Sequence, residues 1–191
     1  MYNILGKRIK FIFVEESKMS EEMISLSKEQ QKAKPKIEDV INEQLEGDRR
    51  QNALDFIAYL RENKLNPVWT ATNAWWVNYK GKRLVSIRVR GINTAGMSWG
   101  YGLDPGSWHI GHWLQGFNFP DNLNDELKQF IWANMQPCKH CMCCAPGHSG
   151  EFLGKKFETV CYFRIENPDS TGLEFTKNLL ECKKKAITSS I

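Results

Sequence analysis

Cys138, Cys141, Cys143 and Cys144 lie with His140 and His148 in the eleven-residue stretch CKHCMCCAPGH. Crowded thiols and imidazoles are soft ligands, and without an export signal they point to a bound metal, Zn²⁺ first. Cys138, Cys141 and Cys144 form a nested C-x2-C-x2-C, in which two thiolates of each loop can reach one ion. Tetrahedral closure needs a fourth ligand. Cys161 is favoured because it falls on a predicted strand in phase with Phe163 and Ile165, while His148 and Cys143 are the alternates. Cys143 and Cys144 are adjacent, so their side chains diverge. A thiolate-rich set without a carboxylate describes a structural Zn²⁺, not a catalytic one. The competing readings are free thiols and a redox dithiol at Cys138-x2-Cys141. No helix opens there to lower a thiol pKa.

A second group of residues could hold a ligand. Trp75, Trp76, Trp108, His109, His112 and Trp113 concentrate in a predicted sheet and suggest an aromatic pocket for a small molecule. His109 and His112 are three apart on a strand and face opposite ways, so they are not a joint metal pair. No nucleophile motif accompanies them, which makes an enzyme the alternative reading and no catalytic residue assignable. The hairpin over 79–90 offers Lys80, Lys82, Arg83, Arg88 and Arg90 interleaved with aromatics, a further alternative aimed at nucleic acid. Net charge is only +4, from 26 basic and 22 acidic residues, and by itself does not indicate a polyanionic partner.

The elements that would position these residues follow from periodicity. Residues 1–35 are read as a flexible or marginally helical arm, with 1–18 an over-long start if Met19 initiates. Residues 36–191 are read as one α+β domain with a cysteine-rich metal loop at 137–161. Ile37, Val40, Ile41 and Leu45 predict a helix over 36–46, and Leu54, Ile57, Ala58 and Leu60 a second one, capped by Asp48 and ended before Pro67. Alternation of Val85, Ile87 and Val89 with Ser86, Arg88 and Arg90 predicts an antiparallel sheet with one covered face. A strand is expected over 107–114 and a helix after Asn122 or Asn124 that Pro137 ends. A strand over 160–165 and a helix started by Asn167-Pro168-Asp169 complete the chain. The apolar run at 11–14 is too short for a signal peptide. No stretch approaches the roughly 20 apolar residues of a membrane span, so a cytoplasmic protein is expected.

Two resemblances accompany this reading. The run from the helix over 54–60 through VWTATNAWWVNYKGKRLVSIRV to SWHIGHWL resembles the helix-then-hairpin opening of small bacterial YdhG-like domains of unknown function. The tail, CKHC, CAPG and FLGKKFETVC followed by NPD and a basic helix, is similar to short cysteine-containing proteins of low-GC Gram-positive bacteria. That likeness implies Cys138, Cys141, Cys144 and Cys161 as the matching thiols. Neither implies an activity.

Overall fold

The computed structural model describes residues 24–90, 105–112, 123–137 and 148–189. Its fold is α+β, an antiparallel sheet packed against helices. Helix α1 (24–33) is followed by α2 (Ile37–Gln44) and α3 (Gly47–Glu62). Then come β1 (Pro67–Ala71), β2 (Ala74–Tyr79), β3 (Lys82–Arg90) and β4 (Ser107–His112). Helix α4 (Asp125–Ala133), β5 (Met135–Pro137), β6 (His148–Phe152), β7 (Lys155–Glu166) and α5 (Ser170–Ser189) complete the order. The strands run β1-β2-β3-β4-β7-β5, and β6 also pairs with β7.

Pleat decides which side chains enter the core. Val85, Ile87 and Val89 of β3, Trp75 and Val77 of β2, and Trp108 and Ile110 of β4 pack with Ile37, Val40 and Ile41 of α2. Phe56, Ile57 and Leu60 of α3 and Leu173, Leu180 and Ile187 of α5 join the same cluster. A second cluster joins Leu127 and Ile131 of α4 to Phe163 and Ile165 of β7 and Leu179 of α5. Helix α5 therefore spans both cores, as a 20-residue amphipathic helix can. Its lysine-rich stretch contributes one fully buried member, Lys183, whose Nζ donates to the Leu84 carbonyl at 2.8 Å.

Turns that require left-handed backbone mark the hairpins. Lys80 and Gly81 both have positive φ, and Tyr79 pairs with Lys82 across them, as the Lys-Gly signal predicts. The stretch ahead of that turn forms two strands, β1 and β2, because the chain reverses at Thr72-Asn73 and Ala71 pairs with Ala74. Asn73 has φ 50°, a conformation asparagine tolerates better than most residues. Leu153 and Gly154 turn β6 into β7 in the same way. Asn124 caps α4, its side chain accepting from the Leu127 N–H at 2.8 Å.

Other local expectations move. Glu46, not Asp48, is the N-cap of α3. Asp169, not Asn167, caps α5 by accepting from the Gly172 N–H at 2.8 Å. Asn167 instead exchanges two bonds with Trp108: its side chain accepts from the Trp108 N–H, and its own N–H donates to the Trp108 carbonyl, each at 2.9 Å. Helix α4 ends at Ala133, ahead of Pro137, and the chain re-enters the sheet as β5.

The zinc-binding loop expected to fasten the C-terminal third is corrected. Among the described residues no group of three or more His, Cys, Asp or Glu side chains could hold a metal ion. His140, Cys138, Cys141, Cys143 and Cys144 lie outside the described residues, while His148 and Cys161 are placed by backbone in β6 and β7. The fastening assigned to zinc is done by backbone pairing of β7 with β4, β5 and β6 and by burial of α5. Among the described residues no helix is long and apolar enough to cross a membrane.

Helix α1, part of the stretch read as an arm, is docked by polar contacts. Gln30 is its one buried residue, and Ile24 is 55% exposed. The Gln30 amide donates to Asn73 Oδ1 at 2.6 Å and accepts from the Asn73 N–H at 2.8 Å and Trp69 Nε1 at 3.4 Å. Gln30→Ala is expected to release α1. Hydrogen exchange should show amides 24–33 losing protection while those of α3 and β3 keep theirs. The stability loss should be about 1–3 kcal/mol, the cost of leaving the buried Asn73 groups unmet. Unchanged protection of α1 would contradict the docking role.

Candidate functional site

The two faces of the sheet separate the residues expected to share an aromatic pocket. Trp75 and Trp108 are buried in the helix-covered core, where the Trp75 Nε1–H donates to the Pro35 carbonyl at 3.3 Å. His112 lies on that same face, its ring 4.7 Å from Phe163, and among the described residues neither ring nitrogen has a hydrogen-bond partner. His109 and Trp76 lie on the opposite face. Trp76 is 37% exposed, with the Arg83 guanidinium over its ring at 3.1 Å. Trp113 lies outside the described residues. The remaining five therefore do not converge on one cavity.

The opposite face carries a polar array instead. Across three strands, register sets Arg88 beside His109 and His109 beside Glu166. The next row sets Ser86 beside Gly111 and Gly111 beside Arg164. Arg164 is buried and ion-paired with Glu166. His109 is buried too. Its burial, with the Arg164 and Arg88 guanidiniums nearby, pushes its pKa down to about 3, so the imidazole is neutral at physiological pH. Burial and the charge of Lys183 push His112 the same way. Two neutral histidines beside cations are poor general bases, and neither faces a described cleft.

A groove of about 440 Å³ does open at the edge of this array. It is lined by Ser27 and Gln31 of α1, by Trp69, Thr70 and Ala71 of β1, by Thr72 of the turn, and by Arg88 of β3. Ser27 and Gln31 share one helix face at i, i+4 spacing. Arg88 lines the groove from β3, on the far side of β2, where its register partner is the small Ala74. Among the described residues Arg88 is the one charged residue of the lining. Among the described residues it forms no ion pair, whereas Arg61 and Arg164 each hold a carboxylate.

The basic hairpin does not form a continuous stripe. Arg83 stacks on Trp76, Lys80 stands 5.8 Å from the Tyr79 ring, and Arg88 turns into the groove. Of the cysteines, Cys182 is described in full: it is half-buried against the α4 core, and burial pushes its thiol pKa up. Sequence reading missed the groove because two of its seven lining residues, Ser27 and Gln31, come from α1, far from the others along the chain. The Ser27/Gln31 spacing and the small Ala74 opposite Arg88 were its only traces.

The buried bases make stability depend on pH. Burial brings the Lys183 pKa down to about 7, against about 10.4 in an unfolded chain. Between those values the unfolded chain binds more protons, so stability rises with pH across that window. Lys183→Met should abolish the rise between pH 7 and 10 in urea unfolding. A second rise is expected between about pH 3 and 6.5 from His109, whose folded pKa is also depressed. His112→Leu, which removes two unmet ring nitrogens, should raise stability at pH 5 by about 1–3 kcal/mol. A flat pH profile in the unaltered chain would refute this account. No family model, curated protein or solved structure matches this chain.

Proposed function

We propose that this chain is a binding domain for a small anionic molecule, held in the groove between α1 and the β1–β2 turn. The observation that carries the reading is the Arg88 guanidinium, a permanent cation that lines a concave site without a carboxylate partner among the described residues. Charges in a structural role are normally neutralised close by, as Arg164 is by Glu166. The groove volume falls within the roughly 300–1,000 Å³ of small-molecule clefts. Its hydroxyl and amide groups, from Ser27, Thr70, Thr72 and Gln31, add neutral hydrogen-bonding partners. Arg88 brings a positive charge to the groove, which favours anions there.

The reading is tested by thermal unfolding against a panel of small anionic, neutral and cationic compounds. A ligand specific to the folded chain, present at a hundredfold excess over its Kd, stabilises by about 2.7 kcal/mol. For a chain of this size that is a rise of roughly 5–10 °C. Anions should give the rise and neutral or cationic compounds should not. Arg88→Ala should melt near the unaltered chain without ligand and should not respond to anions. A variant that keeps the full response would refute the proposal.

A further inference from the structure

The donor set of the groove narrows the ligand, and this step rests on the anion-binding reading above. We infer that the groove takes a monocarboxylate with a short apolar or aromatic body, its carboxylate held by the fork of Arg88. The first reason is charge. Among the described residues Arg88 is the one cation in the lining, so a single negative charge is matched, while a phosphate dianion would carry an uncompensated charge against the apolar wall. The second is shape. A planar guanidinium presents parallel N–H groups that fit the two oxygens of one carboxylate.

The third reason is the rest of the wall. Trp69 and Ala71 offer apolar surface to a ligand body. The Trp69 Nε1–H is already committed to Gln30, which leaves the ring as the surface it offers. Thr70 Oγ1 donates to the Ala74 carbonyl, so its remaining capacity toward a ligand is as an acceptor. Ser27, Thr72 and Gln31 are neutral and suit a hydroxyl or amide on the ligand better than a second charge. Because Ser27 and Gln31 come from α1, and α1 is held by Gln30 alone among its buried residues, an occupant contacting both walls also braces that helix.

The test is calorimetric titration of the full chain with benzoate, benzamide and inorganic phosphate, together with hydrogen exchange of residues 24–33. Benzoate should bind saturably and increase protection of α1. Benzamide, the neutral isostere, and phosphate should each bind about tenfold or more weakly. Arg88→Gln should lose about tenfold to a hundredfold in benzoate affinity, and Arg88→Lys, which keeps the charge without the fork, should recover part of it. Phosphate binding as tightly as benzoate through Arg88 would overturn the carboxylate assignment and leave anion binding standing. Benzamide binding as well as benzoate, or no binding of either anion, would overturn both.

Discussion

Strand β4 is the constraint on which the rest of the molecule depends. It lies between β3 and β7 at the middle of the sheet, and all six of its residues are buried. Three of them, Ser107, His109 and His112, are polar. A polar side chain at such a position must be neutral or paired, because removing a charge from water costs more than packing can return. The depressed pKa values of both histidines are the consequence, and they explain why neither behaves as an exposed acid–base group. The reciprocal bonds between Trp108 and Asn167 then lock the start of α5 to this strand. The helix that covers both cores is thereby held in register with the sheet.

The sheet serves two purposes through its pleat. One face is a core shared with α2, α3 and α5, to which Trp75, Val85, Ile87, Trp108 and Ile110 contribute. The other carries Arg88, His109, Arg164 and Glu166 in adjacent cross-strand positions. Charges on that face are unevenly satisfied. Arg164 has its carboxylate and Arg83 its indole ring, but Arg88 turns toward the groove that α1 walls off. The functional reading grows from that asymmetry. Stability rests on apolar burial and on a few polar ties, among them the fully buried Lys183–Leu84 bond.

The cysteine stretch suggested a closure of the fold by metal that the described residues do not show. Thiol spacing suggested that a metal pins the C-terminal third to the sheet. The described fold is closed by twelve-residue β7, which pairs with three strands and buries Phe163 and Ile165. A strand of that length supplies backbone hydrogen bonds and apolar contact along three neighbouring strands. Its N-terminal half was illegible because Lys155 and Lys156 do not alternate with apolar residues. Pairing with β6 places it in the sheet all the same.

By itself the sequence determined the α+β class, the two helices after Pro35, the polarity of the two faces of β3 and the hairpin at Lys80-Gly81. Those features rest on periodicity and on left-handed turn residues, which are local. Opposite orientations for His109 and His112, and for Trp75 and Trp76, followed from the period of two along a strand. Only the tertiary structure decided that Trp75 and Trp108 enter a core and that Asn167 ties α5 to β4 instead of capping it. It likewise decided that Arg88 lines one groove with Ser27 and Gln31. The physical reason is separation along the chain: residues 27 and 88 become neighbours through the Gln30–Asn73 contact, and no local pattern encodes a hydrogen bond between a helix and a turn 43 residues away.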